Sequence, residues 1–212
     1  MKAYLCAALA CLALVPPAPA ETSIEKAQGV VYVIPVKDEI ERGLVYAIRR
    51  GVNEAVANGA SAIILDMDTP GGRLDATMDI VDIISGIKIK TYTFVNSQAF
   101  SAGAIIAMAT DHIYMTPGGL IGDSMPVAMS PVPGQGTQAI PRDLKEKAVS
   151  PTAALMRSAA QRKGHNPQLA EAMVRAEVGF SIDGKIICPT NHLLTMTADE
   201  AGQMVGEGDA RH

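Results

Sequence analysis

The sequence predicts an α/β fold built on a mostly parallel sheet, and three observations predict it. Short β-branched apolar runs alternate with longer stretches of helical periodicity over residues 30–115. Two of those runs end in glycine-bearing turns, Asp68-Thr69-Pro70-Gly71-Gly72 and Ala99-Phe100-Ser101-Ala102-Gly103-Ala104, and each turn opens into a helical pattern. Strands separated by helices run parallel with right-handed crossovers. Both turns should therefore fall on one carboxyl edge, where α/β sheets bind ligands.

The elements follow in order. Residues 30–34 read as a strand. Over residues 38–58 the apolar positions Ile40, Leu44, Ile48, Val52 and Val56 recur every fourth residue, which predicts a core-facing helix stopped by Gly59. Residues 61–66 are a buried strand, residues 74–84 a helix, and residues 91–95 the strand that leads to Ser101. A helix over residues 101–110 and a short strand, His112-Ile113-Tyr114-Met115, come next. Residues 128–141 are rich in Pro and Gly and read as a mobile loop. Helices are expected over residues 150–162, ended by Gly164, and over residues 167–175, opened by the Asn166-Pro167 cap. Ser181 to Ile186 forms a hairpin around Asp183-Gly184, and Thr197 with Glu200 is a capping box for a last short helix.

Composition narrows the setting. The 212 residues are enough for one domain with a substantial core. Residues 1–20 have the form of a signal peptide: Lys2, an apolar stretch from Leu5 to Val15, and Ala18-Pro19-Ala20 before Glu21. The mature chain is expected to start there and to work outside the cytoplasm, in a periplasmic or extracellular setting. A retained anchor, or lipidation at Cys11, is the rival reading of this segment. With the leader gone only Cys188 remains, so no internal disulfide can form. A net charge of −4 without a basic stripe, 4% aromatics and no Trp argue against nucleic acid as a partner.

The paired turns carry chemistry. Ser101 offers a hydroxyl nucleophile at the start of a helix, and the Gly71-Gly72 pair lets backbone amides approach a substrate closely. Acyl transfer needs both parts, a nucleophile and a pair of donors for the oxyanion. The expected donors are the amides of Gly72 and Ala102, with Gly71 allowing the approach. Either turn alone would be an ordinary structural turn; their joint position on successive βα units makes the case. Met67, Ile105, Met125 and Val127 flank these turns in sequence and are the candidate lining of an apolar substrate pocket. The chemistry requires neither metal nor cofactor.

Beyond these turns, Ile121-Gly122 with Pro126-Val127, Gly164-His165-Asn166, and Leu193-Leu194-Thr195 with Glu200-Ala201 complete an ordered set of motifs. Together they resemble the peptidase domain of NfeD-type membrane-bound serine proteases, in the ClpP/crotonase superfamily. The resemblance runs from about Val30 to Gly208, giving a domain over residues 21–208 and a tail over residues 209–212. It implies a ClpP/crotonase-like spiral of ββα units and a serine endopeptidase with a Ser–Lys dyad. The implied substrates are apolar segments of stomatin-like, membrane-associated proteins, and the implied assembly is a homodimer or larger homo-oligomer. Lys147, seventeen residues before Gly164, matches the position of the family's dyad lysine.

The residues agree with a lysine base. No histidine lies about twenty-five residues after Ser101, where ClpP carries one; that stretch is Ser124-Met125-Pro126-Val127. A lysine ordinarily titrates near 10.4, so acting as a base near neutrality needs a drop of about three pH units. Burial or a helix N-terminus would supply it, and Pro151 suggests a helix starting close to Lys147. Lys145 is the fallback base. The family's Gly-Arg-Asn turn is Gly164-His165-Asn166 here, a departure from the family's pattern at its arginine. Relatives continue into transmembrane helices and a small β-barrel domain, so a free-standing exported form or a truncated product is expected. A crotonase-like acyl-thioester enzyme and a non-catalytic binding domain are the competing readings, along with a signal-peptide-peptidase-like activity.

Overall fold

The computed structural model describes residues 29–129, 137–138 and 140–202. The expected leader at residues 1–20, most of the Pro-rich loop and the tail lie outside them. The chain forms β1 (Val31–Lys37), α1 (Arg42–Ala57), β2 (Ala62–Thr69), α2 (Leu74–Ser85), β3 (Lys90–Phe100), α3 (Ala102–Ala107), β4 (His112–Met115) and β5 (Leu120–Gly122). A short pair follows, β6 (Ala128–Met129) with β7 (Thr137–Gln138). The C-terminal part holds α4 (Arg142–Lys163), α5 (Pro167–Ala172), the hairpin β8 (Phe180–Ile182) and β9 (Lys185–Cys188), β10 (Thr195–Thr197) and α6 (Ala198–Ala201).

The fold is α/β with a mostly parallel sheet in the order β1-β2-β3-β5-β10. β4 and β5 both pair with β3, β4 along Tyr92–Val95 and β5 along Gln98–Phe100. Only β10 runs antiparallel, against β5. Strand alternation sends Ile34, Val36, Ile63, Leu65, Met67 and Val95 into the core. The same alternation leaves Val31, Val33, Phe94 and Tyr114 exposed on the opposite side, where Tyr92 stacks on His112 and Tyr114.

Several boundaries move from the sequence expectation. α1 starts at Arg42, because Ile40 serves as a bridge to Gly72. Its buried stripe is Val45, Ile48, Val52 and Ala55, while Val56 is exposed. A strict four-residue spacing drifts about 40° per step around a 3.6-residue helix, so a five-member row cannot all face inward. β3 extends to Phe100, longer than the five residues expected, because its second half pairs with β5. α3 is shorter than expected, and α4 begins eight residues before residue 150. Val149, Ala153, Met156 and Ala160 supply its inward stripe. The segment after Asn166 is helical only to Ala172; the Asn166 side chain accepts from the Gln168 and Leu169 amides as a cap. The Asp183-Gly184 turn has positive φ at both residues, and the Thr197–Glu200 capping box is formed.

A partly buried polar knot ties β3 to the end of α4. Asp111 accepts from the Thr91 amide at 2.7 Å and its hydroxyl at 2.8 Å, and pairs with Lys163 at 3.3 Å. Burial pushes the Asp111 carboxyl up, but the Thr91 donors and Lys163 outweigh it and hold it at about 2 instead of 3.8. The folded value lies below the unfolded one, so the stabilisation is complete above about pH 4 and disappears as pH falls through 2. It is worth at most about 2 kcal/mol. Asp111→Asn should therefore lower stability by up to about that amount at pH 7, with the difference closing between pH 4 and 2. Urea unfolding of both proteins across that range measures it.

Candidate active site

The parallel register of β2 and β3 places Thr69 beside Ala99, so the two glycine-bearing turns leave the sheet side by side. A shift in register between Met67 and Thr69 precedes the crossing. Gly71, at φ +110°, lies directly against the nucleophile turn: a Cβ on it would sit 2.5 Å from Ser101 Cβ and 3.1 Å from Ser101 Oγ. Only glycine allows that approach. The two motifs form one site.

Ser101 adopts φ 53° and ψ −117°, a conformation that costs an L-residue about 1–3 kcal/mol. It is the geometry of a nucleophile on a sharp strand-to-helix elbow, with the side chain pushed out from the turn. Three contacts hold it. The Ser101 amide donates to the Gly122 carbonyl at 3.0 Å, the Ser124 hydroxyl reaches the Ser101 carbonyl at 3.2 Å, and Gly71 packs on its side chain. Ser124 is itself buried, and its amide donates to the Met173 carbonyl at 2.7 Å.

The expected oxyanion donors can be placed. Gly72 is exposed and Ala102 is the first residue of α3. Ile40 donates to the Gly71 carbonyl at 2.7 Å and accepts from the Arg73 amide at 2.8 Å. Strand alternation then turns the Gly72 N–H to the opposite side, away from Ile40. No acceptor takes the Gly72 or the Ala102 amide among the described residues. Gly71 is not a donor, since its amide is held by the Thr69 hydroxyl at 3.1 Å. Its part is the close approach.

The other expected residues divide. Met67 and Ile105 are 0% and 2% exposed, so they belong to the core under the site instead of lining a pocket. β2 alternation turns Met67 to the helix side, and α3 is buried all round. Met125 is half-buried and Val127 exposed, which leaves these two as the remaining candidates for an apolar wall. Lys147 is exposed, and its side chain makes no hydrogen bond or ion pair with another described residue. It lies five residues into α4, not at its start, and Pro151 is inside the helix. Neither burial nor a helix N-terminus surrounds it in the single chain. Pro151 has no N–H for the carbonyl four residues back, which is that of Lys147, so the helix is locally loosened there. Lys145 is engaged with Glu177 at 3.7 Å. Glu146 pairs with Arg175, so the first turns of α4 are tied to the segment that holds Ser124.

Sequence reasoning missed the supports: the Thr69 side chain, Gly122 and Ser124. Each lay inside a motif already singled out, but which backbone group it would hold depends on tertiary pairing. A cavity of about 900 Å³ lies elsewhere, lined by Asp111, His112, Lys163, His165, Phe180 and Met196 among others. His165 shares a hydrogen bond with the Thr110 carbonyl at 2.8 Å, and burial lowers its pKa, favouring the neutral ring.

The profile of the family described as NfeD1b, N-terminal domain, matches residues 30–210. The chain belongs to that family. It is 40% identical over 172 residues to the membrane protein NfeD1b of Bacillus subtilis, covering 81% of this chain and 36% of that protein. It is 33% identical over 158 residues to the membrane-bound protease PH1510 of Pyrococcus horikoshii, covering 73% of this chain and 35% of that protein. The chain thus spans about a third of the length of these curated relatives. Among solved structures, the 1510-N membrane-bound stomatin-specific protease aligns with a TM-score of 0.67 at 30% identity, over 82% of this chain. It does so as a serine-to-alanine mutant, with 76% of that chain covered, and as a lysine-to-alanine mutant in complex with a substrate peptide, with 72% covered. These solved relatives of this NfeD1b-family domain are proteases. No helix among its described residues is long and apolar enough to cross a membrane.

The contact between Gly71 and Ser101 is directly testable. Gly71→Ala adds a Cβ where there is no room, at a φ that alanine resists, so the elbow and the glycine turn must separate. A displacement of about 1 Å is enough to cost about a hundredfold in rate. Labelling of Ser101 by a fluorophosphonate should slow by that order, with a lowered thermal midpoint read alongside.

Proposed function

We propose that this domain is a serine endopeptidase in which Ser101 attacks the scissile carbonyl and Lys147 takes the serine proton. The observation that carries the reading is the backbone of Ser101, held in a costly conformation against Gly71. An acyl-thioester enzyme or a binding domain needs no nucleophile and gains nothing from that strain. The peptide carbonyl, seated between Ser101 Oγ and the amides of Gly72 and Ala102, becomes an oxyanion as the C–O bond forms. Those amides are fixed before the reaction and need no reorganisation as charge develops. The proton taken by the lysine amine passes to the departing amine, and water repeats the sequence on the acyl-enzyme.

Lys147 must be neutral to act as base, yet it is exposed in the single chain. An apolar polypeptide laid across the site, or a second copy of the domain, would desolvate it and favour the neutral amine. That requirement, with Met125 and Val127 as apolar wall, supports apolar segments of membrane-associated proteins as substrates. A stomatin-like protein is the specific case, suggested by the stomatin-specific 1510-N relative. The same requirement supports a homodimer or larger assembly. The signal-like residues 1–20 support a periplasmic or extracellular setting, with membrane association through partners.

Ser101→Ala should abolish peptide cleavage while leaving folding and peptide binding intact. Lys147→Ala should be nearly as damaging, and the double variant little worse than either, because the two groups act as one unit. Turnover should rise with pH as the amine loses its proton. Cleavage of apolar peptides followed by mass spectrometry, from pH 6 to 9, measures all three; retained turnover in Ser101→Ala refutes the assignment.

A further inference from the structure

We propose that Thr69 is a positioning residue that selects which amide of the Pro70-Gly71-Gly72 turn faces the substrate and ties that turn to the helix of the nucleophile. The proposal rests on the hydrolytic reading of Ser101 and goes beyond it by naming what sets the oxyanion geometry.

Thr69 is fully buried at the end of β2, and both parts of its side chain are committed. Its hydroxyl donates to the Asp38 carbonyl and accepts from the Gly71 amide at 3.1 Å. Pro70 has no N–H, so Gly71 and Gly72 are the only amides the turn can offer. With Gly71 taken by Thr69, Gly72 is left as the donor that can meet a substrate. Were the Gly71 amide free, the turn could rotate and present either glycine, since both residues are permissive. The bond to Asp38 anchors this choice to the residue that follows β1, and the Asp38 amide in turn donates to the Asp68 carbonyl at 3.1 Å.

The methyl does a different task. A Cβ on Gly103 would lie 2.6 Å from Thr69 Cγ2, so the methyl rests on the second residue of α3. Gly103 directly follows Ala102, the other expected donor. One side chain therefore touches both halves of the oxyanion site, through its hydroxyl to the glycine turn and through its methyl to α3. A buried threonine that merely satisfied its own hydroxyl would need only one acceptor, and the Asp38 carbonyl already provides it.

The two tasks separate by substitution. Thr69→Val keeps the shape and removes the hydroxyl; Thr69→Ser keeps the hydroxyl and removes the methyl. In Thr69→Val the Gly71 amide should exchange with solvent at least about tenfold faster as its acceptor is lost. In the same variant kcat on an apolar peptide should fall about tenfold to a hundredfold with KM within about twofold, because a misplaced donor acts on the transition state. Thr69→Ser should keep Gly71 protected and recover part of the kcat lost in Thr69→Val, the remaining deficit reporting the lost contact of the methyl with Gly103. A folded Thr69→Val with wild-type kcat, or a Thr69→Ser as slow as Thr69→Val, overturns the proposal. If the wild-type protein shows no Ser101-dependent turnover, the hydrolytic reading fails, and the exchange of Gly71 still decides whether Thr69 pins the turn. Should Thr69→Val not fold, an unprotected Gly71 amide in the wild-type protein overturns the proposal, and protection kept in Thr69→Ser supports it.

Discussion

A serine at φ 53° cannot hold that conformation alone, and the rest of the site is arranged around holding it. Relaxation of the Ser101 backbone toward an ordinary helix start would gain about 1–3 kcal/mol, unless other contacts cost more to break. Those contacts are the Gly122 carbonyl on its amide, the Ser124 hydroxyl on its carbonyl, and Gly71 pressed against its side chain. They come from the ends of β2 and β5, on either side of β3. The strained residue is thus fixed by the sheet's register, and a slip of β2 or β5 against β3 would release it.

The same register explains why the glycines stand where they do. Gly71 and Gly103 are approached by Ser101 and Thr69 more closely than any side chain would permit. Gly122 is crossed just as closely by the Leu194 carbonyl. Lys147 is held differently. It stands on a helix loosened by Pro151 and anchored near its start by the exposed Glu146–Arg175 pair. In the proposed mechanism a rigid nucleophile and donor pair would work with a less constrained base. This division suits a site whose last component is covered only when something binds.

Much of this was legible in the sequence. The βα alternation and the two glycine turns located Ser101, Gly71 and Gly72 on one edge, because hydrophobic period and turn chemistry are local properties. The Asn166 and Thr197 caps were readable for the same reason. Met67 and Ile105 were misplaced because adjacency in sequence says nothing about which face of a strand or helix a side chain takes. The environment of Lys147 was not legible, because a proline suits a first turn, whereas the stripe of Val149, Ala153, Met156 and Ala160 carries α4 straight through Pro151. The supports Thr69, Gly122 and Ser124 were invisible as supports, since their partners are backbone groups brought in by pairing.

The elbow is completed from far along the chain. Ser124, which braces Ser101, is hung from the Met173 carbonyl; Asp123 donates to the Leu194 carbonyl, and Gly122 pairs with Thr195. During synthesis the nucleophile emerges well before any of these partners exist. Until about seventy further residues have been added and docked, Ser124 lacks the Met173 carbonyl that holds it, and the bracing of Ser101 is incomplete. The order of the chain itself therefore delays completion of the elbow until α5 and β10 are in place.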